Sequence, residues 1–213
     1  MLYYNSGKDN FMKILVISDT HGNLEKFKEV LNKLKKESPV DMIVHCGDYY
    51  NDAMAIRRYS GVPVTAVKGN CDNEFSENGY AVLSTEAGDL LITHGHMENV
   101  GSSLQRIFYK TLEYGCVGAL FGHTHRAVFT ELEDPQSDDG GKILMMNPGS
   151  LPRPRDGSCG TFGLIKTSEA GISGRIIRYD EFMDEKKESG TGKDSRSPRS
   201  GRLRRLLNYS DRF

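Results

Sequence analysis

The chain predicts an α/β fold of two sheets with helices outside them. Three observations carry that reading: apolar strand-sized runs alternate with amphipathic helical stretches over residues 12–68, a hairpin pattern follows at 80–93, and further strand-like runs continue to 179. Met12–Ser18 (MKILVIS) is a nearly continuous β-branched and apolar run, as in a strand buried on both faces. A helix follows over Leu24–Glu37, with Leu24, Phe27, Val30, Leu31 and Leu34 on one face, Asn23 as its cap and Ser38-Pro39 as its stop. Met42–Cys46 and Val64–Lys68 are two more buried strands. A short helix over Asp52–Tyr59 between them completes a β-α-β-α-β opening, the alternation of a mainly parallel sheet. Tyr80–Ser84 and Asp89–Thr93, joined by Thr85-Glu86-Ala87-Gly88, form a hairpin. Ser102, with Gln105 in capping-box spacing, opens a helix over Ser103–Tyr114 whose apolar face is Leu104, Ile107, Phe108 and Leu112. Strands at Val117–Phe121, Ala127–Leu132, Lys142–Met146, Phe162–Lys166 and Arg175–Tyr179 close the series.

A length of 213 residues suits one ordinary domain plus spare sequence. Residues 12–183 are read as that domain, residues 1–11 as a flexible N-terminal extension, and residues 184–213 as a disordered basic tail rich in Lys, Glu, Ser, Gly and Arg. The tail holds nine Lys/Arg against five Asp/Glu, so it carries +4 and leaves −5 on the rest of a chain whose formal net charge is −1. That balance argues against nucleic-acid binding by the core. Gly190-Thr191-Gly192-Lys193 lacks the leading glycine and the preceding strand of a phosphate loop and is set aside. No apolar run is long enough to span a bilayer, and no basic-then-apolar leader is visible. Cys46, Cys71, Cys116 and Cys159 form no CxxC pair, which excludes a zinc ribbon and reads as reduced and cytoplasmic.

Five apolar strands run directly into metal-ligand residue types: Asp19-Thr20-His21, Gly47-Asp48, Gly69-Asn70, His94-Gly95-His96 and Gly122-His123-Thr124-His125. Loops converge beyond the carboxyl ends of strands in open α/β sheets, so residues far apart in sequence meet there. Asp-x-His and His-x-His spacing sends both side chains the same way from an extended backbone. The donors are oxygens and imidazole nitrogens, a set for Mn²⁺, Fe²⁺, Co²⁺ or Zn²⁺ more than for a cysteine-rich structural site. Seven ligands are too many for one tetrahedral ion and enough for two that share a carboxylate. Two divalent ions, Asp19, Asp48 and a bridging hydroxide sum to about +1, which attracts a phosphate group.

These blocks, with Asn23 and Cys71-Asp72 completing the first and third, resemble the ordered motifs of calcineurin-like metallophosphoesterases, and Asn147-Pro148-Gly149-Ser150 resembles a motif of the small YfcE-type phosphodiesterase branch. The resemblance spans Met12 to about Asp180 and implies a four-layer αββα sandwich, two mixed sheets flanked by helices. It further implies that Asp19, His21 and His125 hold one divalent ion, that Asn70, His94 and His123 hold the other, and that Asp48 bridges. Mn is the expected metal, with Fe, Co, Ni or Zn as substitutes. The implied reaction is phosphodiester hydrolysis by a metal-bridging hydroxide attacking phosphorus in line, with Asn70 and His94 as the catalytic residues. Asn23, Cys71 and His96 are the candidate substrate contacts. Many diesterase relatives carry His where this chain has Cys71, so esters with good leaving groups are the expected substrates. The expected partner is a small phosphoester, with no membrane and with a homo-oligomer allowed. The alternatives are phosphomonoester hydrolysis at the same site and a non-catalytic scaffold like the eukaryotic retromer subunit.

Overall fold

The computed structural model describes residues 11–72, 79–138 and 140–184. The β-α-β-α-β opening is present: β1 (Met12–Ile17), α1 (Glu25–Glu37), β2 (Met42–His45), α2 (Tyr50–Ser60) and β3 (Val64–Ala66). The hairpin β4 (Tyr80–Thr85) and β5 (Gly88–Thr93) leads to α3 (Gln105–Glu113) and β6 (Gly118–Leu120). The chain then runs through β7 (Ala127–Glu133), β8 (Lys142–Pro148), β9 (Thr161–Ser168), β10 (Gly171–Arg178) and α4 (Tyr179–Asp184).

Two five-stranded sheets result, in the orders β10-β9-β1-β2-β3 and β4-β5-β6-β8-β7. Each has a parallel centre, β1-β2-β3 in the first and β5-β6-β8 in the second, with antiparallel strands completing it. Both sheets are therefore mixed, and the expected four layers are formed. Alternate residues of β1 explain why its sequence is apolar throughout. Ile14 and Val16 face Leu90, Ile92, Leu120, Leu144 and Met146 between the sheets. Leu15 and Ile17 face Phe27, Val30, Leu31 and Leu34 of α1. On the far side of the second sheet, Ile107 of α3 packs against Leu91, Ala119, Phe121 and Met145.

Several local expectations are corrected. Asn23 does not sit at the formal cap of α1, which is Leu24, but its Oδ1 accepts the Glu25 N–H at 3.1 Å and starts the helix all the same. Helix α3 begins two residues later than its pattern suggests, and Ser103, not Ser102, accepts the Gln105 N–H, at 3.1 Å. The hydroxyl of Ser102 is used by Asn99 Oδ1 at 3.2 Å. The last strand starts at Gly171, because full antiparallel pairing with β9 extends it backwards, and Tyr179 opens the short helix α4. Six residues carry too little periodicity to announce such a helix; it is held by α1, where Lys33 Nζ donates to the Phe182 carbonyl. Asp184, expected to begin the disordered tail, ends α4 instead; the rest of that tail, residues 185–213, and residues 1–10 of the expected N-terminal extension lie outside the described residues.

Candidate metal centre

All seven proposed ligands gather at one end of the sandwich. Asp19, Asp48 and Asn70 follow β1, β2 and β3 of the first sheet, and His94, His123 and His125 follow β5 and β6 of the second, with His21 closing the first loop. Asp19, His21, Asp48 and His125 each offer an atom within 4.8 Å of the others. His21 Nε2 stands 3.2 Å from His125 Nε2 and 3.5 Å from Asp48 Oδ2, and His125 Nε2 stands 3.3 Å from Asp19 Oδ1. On the other side of Asp48, Oδ1 lies 3.2 Å from His94 Nε2. Asn70 Oδ1 is 3.1 Å from that same nitrogen and 3.0 Å from His123 Nδ1. Two groups of donors therefore flank the Asp48 carboxylate, each beside a different one of its oxygens.

The backbone reaches this convergence by a different route from the extended one expected. Asp19, His21, Asp48, His123 and His125 all have positive φ, between 46° and 73°. Such backbone in non-glycine residues costs of order 1 kcal/mol or more each and persists only where the surroundings impose it. Left-handed turns, not a straight strand, bring the paired ligands to the same side. Two glycines give the loops room: a Cβ on Gly69 would stand 2.1 Å from Asp48 Oδ1, and one on Gly122 would stand 1.9 Å from Ser18 Oγ.

Hydrogen bonds behind the donors fix their protonation. A carbonyl only accepts, so His94 Nδ1, 2.8 Å from the Cys46 oxygen, carries the proton and leaves the Nε2 lone pair for the site. His125 Nδ1 donates likewise to the Arg153 carbonyl at 2.7 Å. Burial lowers the pKa of His94 to about 4 and pulls His21, His123 and His125 below the ordinary histidine value. Burial raises Asp19 to about 7. At Asp48 burial acts upwards, but His94 and the Cys71 N–H outweigh it and the carboxyl ends below its usual value. Neutral imidazoles thus face two buried carboxyls, and Asp19 Oδ1 has no hydrogen-bond partner among the described residues. The donor set fits divalent ions on spacing as well. Ligands about 2.1 Å from one ion stand about 3.0–3.4 Å apart around it, and the donors here are separated by 3.0–3.5 Å.

Around this core, Cys71 is exposed, and its N–H donates to Asp48 Oδ1 at 3.0 Å. Its thiol is pushed up to about 11 by burial and by the neighbouring Asp48. The His96 ring lies 5.4 Å from that of His94 and 6.2 Å from that of His123, and its buried Nδ1 has no partner among the described residues. Asn23 uses its carboxamide oxygen on α1. Reading the sequence alone left Ser150 and Asn147 without a role. Ser150 Oγ donates to the Asp19 carbonyl at 2.8 Å, and Asn147 Nδ2 donates to the Gly122 carbonyl at 2.7 Å, each bracing a ligand loop. Their signal was the Asn147-Pro148-Gly149-Ser150 motif at the end of β8. Asp72, whose purpose the sequence left open, accepts the Gly69 N–H at 2.9 Å and the Tyr50 N–H at 2.6 Å, tying the Asn70 loop to the start of α2.

The calcineurin-like phosphoesterase superfamily domain matches residues 12–170, and the chain belongs to that superfamily. A probable metallophosphoesterase of Bacillus subtilis, YsnB, is 34% identical over 174 residues, covering 82% of this chain and 94% of its own. The Escherichia coli phosphodiesterase YfcE is 27% identical, covering 72% of this chain and 87% of its own. Among solved structures, a conserved Streptococcus pneumoniae protein described as a predicted phosphoesterase superimposes with a TM-score of 0.62 at 23% identity, covering 81% of this chain and 92% of that one. Vps29 from Entamoeba histolytica, solved with zinc, gives 0.59 at 18% identity, covering 79% and 99%. These two likenesses carry the fold alone.

Proposed function

We propose that this chain is a metal-dependent phosphoric ester hydrolase acting on small phosphodiesters. The observation that carries the reading is the pair of donor groups flanking the Asp48 carboxylate. Asp19, His21 and His125 would hold one divalent ion, Asn70, His94 and His123 would hold the other, and Asp48 would serve both, with Mn²⁺ the favoured metal. Such a pair supplies an activated water as nucleophile and Lewis-acid polarisation of the phosphoryl oxygens.

The chain's own groups do the rest. Asn70 keeps one face of its carboxamide on the donor cluster, and its Nδ2, 3.6 Å from Cys71 Sγ, is available to a phosphoryl oxygen. His94, buried and neutral, holds its lone pair in place through the Cys46 carbonyl. The Cys71 thiol stays protonated at neutral pH and is a weak acid, so it gives little help to a poor leaving group. Esters with good leaving groups are favoured for that reason. Four free thiols suit a reducing compartment such as the cytoplasm, and no helix among the described residues is long and apolar enough to cross a membrane. Residues 12–183 act as the catalytic domain, with the basic tail dispensable for turnover.

The test is metal analysis followed by hydrolysis of bis(p-nitrophenyl) phosphate and p-nitrophenyl phosphate with Mn²⁺. Two ions per chain and faster Mn²⁺-dependent cleavage of the diester are expected. Asp48→Asn loses both metal occupancy and more than about 100-fold in turnover, since even groups that only orient a ligand cost 10–100-fold. Removal of residues 185–213 leaves turnover intact. Fewer than one ion per chain with no cleavage of either ester overturns the reading, and faster cleavage of the monoester replaces diester by monoester.

A further inference from the structure

Behind the loop that carries Asp19 and His21 runs a chain of hydrogen bonds that includes none of the proposed ligand side chains. Thr20, the residue between them, is buried, and so is His45 at the end of β2. The Thr20 hydroxyl donates to Asp52 Oδ2 at 2.6 Å and lies 2.9 Å from His45 Nε2. A hydroxyl has one proton to give. With that proton on the Asp52 side, Thr20 must accept from His45, so His45 is neutral with its hydrogen on Nε2. Its Nδ1 then accepts the Gly47 N–H at 3.3 Å. The same Asp52 oxygen also accepts the Gly22 N–H at 2.8 Å. Every member has one consistent direction, from Gly47 through His45 and Thr20 to Asp52.

The placement matters because of the backbone it grips. Asp19, His21 and Gly22 have φ of 55°, 46° and 80°, so the loop holds its shape only if its surroundings over-determine it. Asp52 fixes that loop at Thr20 and at Gly22, one point on each side of His21. The carboxylate is itself anchored in the first turn of α2, whose Ile56 is fully buried against the first sheet and α1. At the other end, Gly47 immediately precedes Asp48, so one network touches the loops of a terminal ligand pair and of the bridging carboxylate.

We propose that Asp52 is a positioning residue that aims His21 and Asp19 through the Thr20 hydroxyl and the Gly22 amide, with neutral His45 orienting that hydroxyl. The inference rests on the metal centre proposed above and assigns no new ligand. It is tested without turnover. In metal-free protein, a two-bond ¹⁵N–¹H correlation spectrum shows His45 protonated at Nε2 alone; protonation at Nδ1 overturns the network. Calorimetric titration with Mn²⁺ then shows Thr20→Val and Asp52→Ala weakened by about 10–100-fold, the range of groups that orient metal ligands. Thr20→Ser, which keeps the hydroxyl, binds as the wild type does. Wild-type affinity in a folded Thr20→Val overturns this inference alone. A wild-type protein that takes up no Mn²⁺ overturns the metal centre and this inference with it. Any loss of fold is read separately from the melting temperature of each metal-free variant, and the wild-type His45 spectrum needs no variant at all.

Discussion

At the scale of single residues, the donor atoms were legible and their backbone was not. All seven proposed ligands lie in the loops that follow apolar strands, and the blocks are specific enough to read in order. What the letters barely carry is the left-handed conformation of five of them, since Asp and His enter that region more readily than most residues but too seldom to announce it. The glycines beside the ligands are the visible trace. Gly122 has no unusual φ to explain it, and its reason is space: an added Cβ would stand 1.9 Å from Ser18 Oγ and 2.8 Å from Asp19 Oδ2. Gly122→Ala is therefore expected to cost roughly 1–3 kcal/mol, the usual penalty for overfilling a packed site. Urea unfolding of the metal-free protein measures it, and an unchanged midpoint would show that the Ser18 side chain simply swings aside. The bracing residues were harder to see, because each acts across a long stretch of chain. Ser150 meets Asp19 over 131 positions, and no local pattern encodes that pairing.

At the scale of elements, the existence of strands and helices followed from periodicity, whereas their ends were set by tertiary partners. Helix α3 shows why. Its early start, read from Ser102 and Gln105, gives way because Asn99 takes the Ser102 hydroxyl. The same stretch contains Glu98, an acid that is almost fully buried. Glu98 accepts from the Tyr80 hydroxyl of β4 and from Thr93 of β5, and it lies 3.4 Å from Lys110 Nζ of α3. Lys110 also sits 4.0 Å from the centre of the Tyr80 ring. One carboxylate thus ties the hairpin, the His94–His96 loop and the outer helix. Glu98→Ala takes the acceptor from two hydroxyls and the carboxylate from beside Lys110; Lys110 Nζ still donates to the Tyr80 hydroxyl at 2.7 Å, so the cost is about 1–3 kcal/mol, that of one buried group, the Thr93 hydroxyl, losing its acceptor. Denaturant titration should show a loss in that range, whereas Glu131→Ala, from an exposed pair with Lys142, should change stability by less than about 1 kcal/mol. Equal effects of the two substitutions would remove Glu98 from this role.

At the scale of the whole molecule, the α/β class and the layering were legible because strands buried on both faces must lie between layers. The split into two sheets was expected from the sequence, but the strand order within each was not written in any segment; it follows from β9 and β10 returning to β1 while β8 inserts beside β6. That split has a thermodynamic consequence. Asp19, His21, Asp48 and Asn70 follow strands of the first sheet, and His94, His123 and His125 follow strands of the second, so ions held by all seven join the two halves of the sandwich. Anything that binds only the native state stabilises it by mass action, about 2.7 kcal/mol when free ligand is at 100 times its dissociation constant. For a chain of this size each kcal/mol moves the melting temperature by about 2–4 °C, so saturating Mn²⁺ should raise it by roughly 5–10 °C over chelated protein. Joining the sheets adds a spatial signature: amide exchange should slow in β1 and β2 and also in β5 and β6 on metal addition, while β10 and β7, at the sheet edges, change least. Asp48→Asn should lose most of the thermal shift, because neither half-site keeps its shared carboxylate. Protection confined to one sheet would mean that ions settle on one set of loops only, and a melting temperature indifferent to both Mn²⁺ and chelator would mean that the clustered donors hold none.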